Sequence, residues 1–195
     1  MSVNMQDSGY NPTGHLEIYK KYLDGKVEKI YDEHNLITSG LGADLAMFFA
    51  ATGVDVSSYQ IGYFQAGVSG ITTATSAISE LSSALVAGGG VGGYGTNIAL
   101  DIDRHELFSS GVAKTQDFVV ISPAFIQKVN STTVRFVVVL DEHTANNNSI
   151  SEFGLFARNP FELSTERSLL VAYRAFDKID KSSNFSLVIK WSIKL

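Results

Sequence analysis

The sequence predicts a mainly β protein: an antiparallel β-sandwich with one or two short helices. Three observations predict it. Phe185, Leu187, Ile189, Trp191 and Ile193 alternate with Ser186, Val188, Lys190, Ser192 and Lys194, and period two belongs to a strand with one buried face. From Thr133 to Leu195, four strand-like runs follow one another between polar turns, a spacing that suits antiparallel pairing. The composition agrees, with 17 glycines, 12 phenylalanines and 18% charged residues, a mix suited to turns and strands rather than long helices.

Residues 1–14 are polar, contain Asn11-Pro12 and Gly14 and show no period, which predicts a flexible N-terminal arm before a single domain over 15–195. His15 to Leu23 and Lys26 to Tyr31 alternate in part, and Asp24-Gly25 between them signals a hairpin. Asp32-Glu33-His34-Asn35 then reads as a turn. Leu41, Leu45, Phe48 and Phe49 fall at i, i+4, i+7 and i+8. That spacing predicts a helix with those four on one face, Thr38 or Ser39 as its N-cap and an end near Gly53. Tyr59 to Gly67 is a strand with apolar groups on both faces.

In Thr72 to Leu85, the residues Ile78, Leu81 and Leu85 lie at i, i+3 and i+7, which predicts a second, short helix despite modest propensity. The stretch 87–95 holds Gly88, Gly89, Gly90, Gly92, Gly93 and Gly95 and predicts a flexible loop or an insertion tip. Ile98 to Phe108, Asp117 to Ile121 and Phe125 to Val129 are strands of a less regular region, with Pro123 breaking between the last two. Thr133 to Leu140 is apolar on both faces and predicts a central strand. Asp141 to Ser149 is a polar turn. Ile150 to Ala157, Leu169 to Phe176 and Asn184 to Leu195 complete the sheet.

A chain of 195 residues buries a core without staples, and the absence of cysteine excludes disulfides and thiolate metal sites. A formal charge of −5 and a pI near 5.3 argue against nucleic acid as the main partner. The first residues lack a secretory pattern, and the longest apolar run, Leu45 to Ala51, is too short for a bilayer. The expectation is a cytoplasmically made product without a membrane partner.

Gly90-Val91-Gly92-Gly93-Tyr94-Gly95 matches GxGxxG, but a dinucleotide site needs a strand before the motif and a helix after it, and the surrounding sequence has neither in that order. Lys114-Thr115 lacks the glycines of a P-loop. Asp32-Glu33-His34 and Asp141-Glu142-His143 repeat a carboxylate-imidazole tripeptide. Adjacent residues of an extended chain diverge, and both tripeptides read as solvated turns rather than metal sites. His15 and His105 stand isolated in sequence, without a serine-protease order or HExxH. Trp191 shares the apolar face of the last strand and reads as core. Glu152 shares a strand face with Ile150, Gly154 and Phe156; a carboxylate there requires a partner, and Arg158, Arg174 or Arg135 are the candidates. The residues thus give no catalytic, cofactor-binding or metal site, and no enzyme is expected.

The succession Phe136-Val137-Val138-Val139-Leu140-Asp141, Ala145-Asn146, Ile150-Ser151-Glu152-Phe153-Gly154-Leu155-Phe156, Leu170-Val171-Ala172-Tyr173-Arg174-Ala175-Phe176, Ile179-Asp180-Lys181-Ser182 and Phe185 to Ile193 resembles the C-terminal part of virion structural proteins of tailed bacteriophages. The helix with Leu41 to Phe49 and the strand Ile61 to Gly67 are similar to the same group, so the resemblance covers most of the chain after Asn35. It implies a non-enzymatic, β-rich subunit of the neck, collar, tail or baseplate, or a fibre-anchoring adaptor, assembled in the host cytoplasm. The implied partners are further copies in a cyclic oligomer and other virion proteins such as portal, tail or fibre subunits. No fibre-shaft repeat and no long coiled coil appear in the sequence, which favours an adaptor over a complete fibre. The alternative from another class is a carbohydrate-binding β-sandwich, which requires exposed aromatic residues such as Tyr59 or Tyr94 as a platform.

Overall fold

The computed structural model describes residues 11–50, 60–107, 114–159 and 167–195. Among them are ten strands, β1 (Thr13–Tyr22), β2 (Val27–Ile37), β3 (Ile61–Gly67), β4 (Ile102–Leu107), β5 (Lys114–Val120), β6 (Ile126–Lys128), β7 (Thr133–Leu140), β8 (Ser149–Asn159), β9 (Arg167–Asp180) and β10 (Phe185–Lys194). One α-helix, α1 (Ser39–Ala50), follows β2, and a single 3-10 turn, Pro123–Phe125, precedes β6. Met1–Tyr10, most of the predicted arm, lie outside the described residues, while Thr13 and Gly14 already belong to β1.

The strands join in the order β4-β5-β3-β8-β9-β2-β1-β10-β7-β6. β4 also pairs with β9 in parallel, through Glu106↔Arg167 and Leu107↔Ser168, so that β4, β5, β3, β8 and β9 close into a five-stranded barrel. The mainly β content matches the sequence expectation, but this closure replaces the expected two-sheet sandwich. The cause is the length of β9. Its 14 residues pair with β8 along one edge, while the other edge is shared between β4 and the end of β2, where Leu36 and Ile37 meet Tyr173 and Ala172. The remaining strands, β1, β10, β7 and β6, extend from β2 as an open half.

Two apolar clusters follow from this topology. Leu16, Ile18, Phe136, Leu187, Ile189 and Trp191 of the open half pack with Phe64, Phe153, Leu155 and Val171 of the barrel. A second cluster takes Tyr63, Leu107, Phe118, Phe156 and Leu170, one from each barrel strand, together with Leu81, and it fills the barrel interior. Strands β3 and β8 are therefore buried on both faces, which accounts for their near-continuous apolar character. β10 keeps the strict alternation read from the sequence, its odd-numbered residues buried from Phe185 to Ile193, and Trp191 is a core residue at 1% exposure.

Three local expectations are corrected. Asp32-Glu33-His34-Asn35 is not a turn: it continues β2, because β1 begins at Thr13 and offers Gly14, His15, Leu16 and Glu17 as partners. In α1, Leu41 and Met47 are buried, but Phe48 and Phe49 point outward at 43% and 80% exposure. The Thr38 hydroxyl, next to the start of α1, donates to Leu170 O on β9. Residues Thr72 to Leu85 form no helix; they run as turns and bends. Leu81 and Leu85 are nevertheless buried, since the segment lies as a strap on the barrel, with Val68 N donating to Ser83 O at 3.0 Å and Leu85 N to Ala66 O at 2.8 Å. The strap comes so close that a Cβ on Gly154 would stand 2.6 Å from Leu81 Cδ1, a contact only glycine permits.

The loop over 87–95 is not flexible but tied. Gly88, Gly90, Gly92 and Gly95 adopt positive φ, which suits glycine, and these bends let Tyr94 N donate to Val86 O at 2.9 Å and Gly95 N to Gly88 O at 2.6 Å. Tyr94 is fully buried, and its hydroxyl accepts from Ala66 N on β3 at 2.9 Å. Tyr94→Phe leaves that amide without an acceptor in the core, and we expect a loss of about 1–2 kcal/mol, read as a lower urea midpoint with an unchanged slope.

Candidate functional site

The most developed polar arrangement is the attachment of the strap. Glu152, on β8, is fully buried. Its Oε2 accepts from Ser82 N at 3.1 Å and from the Tyr173 hydroxyl at 3.0 Å, and its Oε1 accepts from Ser83 N at 2.9 Å. The Tyr173 hydroxyl oxygen in turn accepts from Ile71 N at 2.7 Å, so one carboxylate and one phenol hold both ends of the strap. Burial, reinforced by the adjacent Glu152 carboxylate, pushes the Tyr173 hydroxyl well above its usual range. The ion pair expected for Glu152 is corrected in part. The Arg174 guanidinium pairs with Glu33 and Tyr31, Arg135 reaches Ser192, and the Arg158 side chain lies outside what is described. Backbone amides and a hydroxyl satisfy the carboxylate instead.

Inside the barrel, the β4–β9 pairing brings together residues far apart in sequence. His105 Nε2 lies 2.6 Å from Ser168 Oγ, and its Nδ1 lies 3.6 Å from Asp103 Oδ2, which accepts from the Tyr63 hydroxyl at 2.9 Å. His105 is stacked on Phe118 at 4.1 Å. The order carboxylate, imidazole, hydroxyl is that of a nucleophilic triad, yet Ser168 is 0% exposed and the imidazole stacks on a core ring. The set serves the barrel as a polar network that is buried at Tyr63, His105 and Ser168 and opens to solvent at Asp103.

The two carboxylate-imidazole tripeptides part company. Asp141-Glu142-His143 does form a turn, with Thr144 Oγ1 and His143 N both donating to Asp141 Oδ1. Asp32 and His34 instead share a strand face with His15: His15 Nε2 is 2.6 Å from Asp32 Oδ1, and the two imidazoles meet edge to face. Lys29 takes the other Asp32 oxygen and Glu17 at 2.7 Å each. This ammonium holds both carboxylates below, and is itself held above, the usual range. Among the described residues, no group of three His, Asp or Glu side chains is set to hold a metal ion.

The GxGxxG stretch stands in the tied loop, between the strap and a run of bends rather than between a strand and a helix. Asn148 fastens it, accepting from Gly92 N at 2.6 Å and donating to Gly93 O at 3.0 Å. The buried Tyr94 offers no face to a sugar, and Tyr59 lies outside the described residues.

One residue was not singled out from the sequence. Asp44 on α1 is 4% exposed, and its Oδ1 is buried without a hydrogen-bond partner among the described residues. It stands in the wall of a cleft of about 240 Å³, between α1 and the ends of β3, β6, β7 and β10. The signal was present, since Asp44 is the only charged residue between Ser39 and Ala50.

No protein-family model, curated protein or solved structure matches the chain. Among the described residues, no helix is long and apolar enough to cross a membrane.

Proposed function

We propose that the chain is a structural subunit of a tailed-phage virion. It joins neck, collar, tail or baseplate parts or anchors fibres, and it works as a cyclic oligomer. The observation that carries this reading is the placement of large exposed apolar side chains on separate edges of a rigid body. Leu23 at the β1–β2 turn is 71% exposed, Phe49 on α1 80% and Val91 in the tied loop 87%. A subunit that touches several neighbours needs several such contacts, and each becomes favourable once buried. The open half and the barrel, packed face to face on the larger core, supply the rigid body that a sandwich would supply. The reading also rests on the resemblance of the β7 to β10 sequence to tailed-phage virion proteins.

The work of such a subunit is mechanical: it transmits position and load between neighbours, so its demands are stiffness and complementary surfaces rather than a reactive group. Electron microscopy of virions labelled with antibody against the purified chain tests it. Label at one axial level of the particle is the expected result. Particles that carry none of the chain by immunoblot overturn the proposal.

A further inference from the structure

We propose that the tip of the β1–β2 hairpin of one copy docks head to tail into the Asp44 cleft of the next. This rests on the oligomeric reading above and names the contact that would build it.

The cleft calls for a particular occupant. Leu41, Leu45, Ile61, Phe136 and Ile193 make its wall apolar, and Asp44 is the one acid there among the described residues. A carboxylate that is nearly buried and lacks a donor on Oδ1 is costly, and a cation or N–H donor brought by an apolar segment removes that cost. The missing piece is therefore an apolar projection carrying one basic group.

The chain presents such a projection. At the β1–β2 turn, Leu23 and Val27 are 71% and 57% exposed, and Lys26 stands between them. Among the described residues, Lys26 makes no ion pair; its ammonium lies over the Tyr22 ring, 5.4 Å from the centroid. The Asp24 carboxylate in the same turn is turned back, accepting from Lys26 N at 2.9 Å. Two apolar groups and an ammonium that makes no ion pair among the described residues match the apolar wall and the Asp44 carboxylate.

Topology fixes the direction. β1 starts at Thr13, opposite Lys194 and beside the Ile193 and Leu195 wall of the cleft, and it ends at Tyr22, next to the tip. Ten residues of strand separate them by about 30 Å. The tip cannot reach the cleft of its own chain. A contact between two different patches is heterologous and propagates into a ring or a filament.

The experiment uses the full chain and two blocked variants. Leu23→Ser with Lys26→Glu spoils the tip at exposed positions, and Leu45→Arg fills the cleft. By sedimentation velocity, wild type is expected to form oligomers and each variant to be monomeric. An equimolar mixture of the two variants should give a one-to-one dimer that grows no further, because only one intact tip and one intact cleft remain. Asp44→Asn serves as the second cleft variant if Leu45→Arg does not fold, with at least tenfold weaker association expected. A tip variant that assembles like wild type, or a mixture that stays monomeric, overturns the contact while leaving the virion reading intact. A monomeric wild type also overturns it, together with the cyclic oligomer. Antibody labelling of particles still decides the virion reading separately.

Discussion

Glu152→Ala is expected to cost about 3 kcal/mol of stability and to free the strap over Thr72–Leu85. The carboxylate accepts from Ser82 N, Ser83 N and the Tyr173 hydroxyl, and alanine leaves all three donors without a partner. Charge-assisted bonds of this kind are stronger than neutral ones, and Leu81, which the strap carries into the barrel cluster, loosens with them. Two measurements check the expectation: a fall in the urea midpoint, and faster hydrogen exchange of the Ser82 and Ser83 amides. Glu152→Gln should fall about midway, because one amide oxygen replaces two acceptors and its NH₂ faces donors. A loss under about 1 kcal/mol with both amides still protected would show that the strap is held by packing alone. The pair of variants also separates this role from catalysis, for which Gln would abolish turnover while leaving stability unchanged.

The strap shows where sequence reading stops. Ile78, Leu81 and Leu85 have helical spacing, and two of them are buried, yet Leu85 N bonds to Ala66 O on β3, Ile78 N to Thr75 O in a local turn, and the neighbouring Ser82 and Ser83 amides to Glu152 on β8, rather than along a helix. Spacing reports which side chains want burial; it does not report where the backbone groups find partners. The same limit explains Glu152. Arginines are visible in a sequence as counter-ions, while backbone N–H groups are not, so the sequence suggests an ion pair where amides do the binding.

Strands β7 and β10, by contrast, lie within a residue of their expected limits, and alternation in β10 states its buried face as well; β7, expected to be apolar and buried on both faces, buries only Phe136, Val138 and Leu140 and leaves Val139 exposed. The fate of β9 was not legible: its run reads as a strand, but nothing local says that one edge serves two partners. From that edge come both the barrel closure and the meeting of His105 with Ser168, 63 positions apart. Phe48 and Phe49 mislead in the opposite sense. They fit a helix face, yet the face that packs carries Leu41, Asp44 and Met47, and the rings remain outside.

Asp44→Asn is expected to stabilise the dilute, unassembled protein above neutral pH and to flatten its dependence on pH. Burial pushes the Asp44 carboxyl up to about 7 from an ordinary value of 3.8. Between these values the native protein keeps a proton that the unfolded chain has released, so the native state binds more protons. Stability from this group is therefore fully present below about pH 4, falls as pH rises towards about 7, and is level above that. The loss is on the order of 2 kcal/mol, short of the full shift because Asp44 lines an open cleft rather than a sealed core. Asparagine has nearly the same shape and no charge to desolvate, so it should erase this slope.

Glu17, Asp32 and Lys181 act outside this window. Glu17 and Asp32 are held below their ordinary values, so they contribute stability above the ordinary carboxylate range and lose it at lower pH. Lys181, lowered to about 8 by burial, acts above the window. Urea midpoints of wild type and Asp44→Asn at about pH 5, 6 and 7.5 isolate the difference. Equal slopes in the two proteins would mean that the Asp44 carboxylate is solvated, and the cleft would then lack the unpaired charge on which the tip contact depends. If the slopes differ as expected, the isolated chain carries an acid that weakens it at neutral pH, and a second copy presenting Lys26 at the cleft supplies the compensating charge.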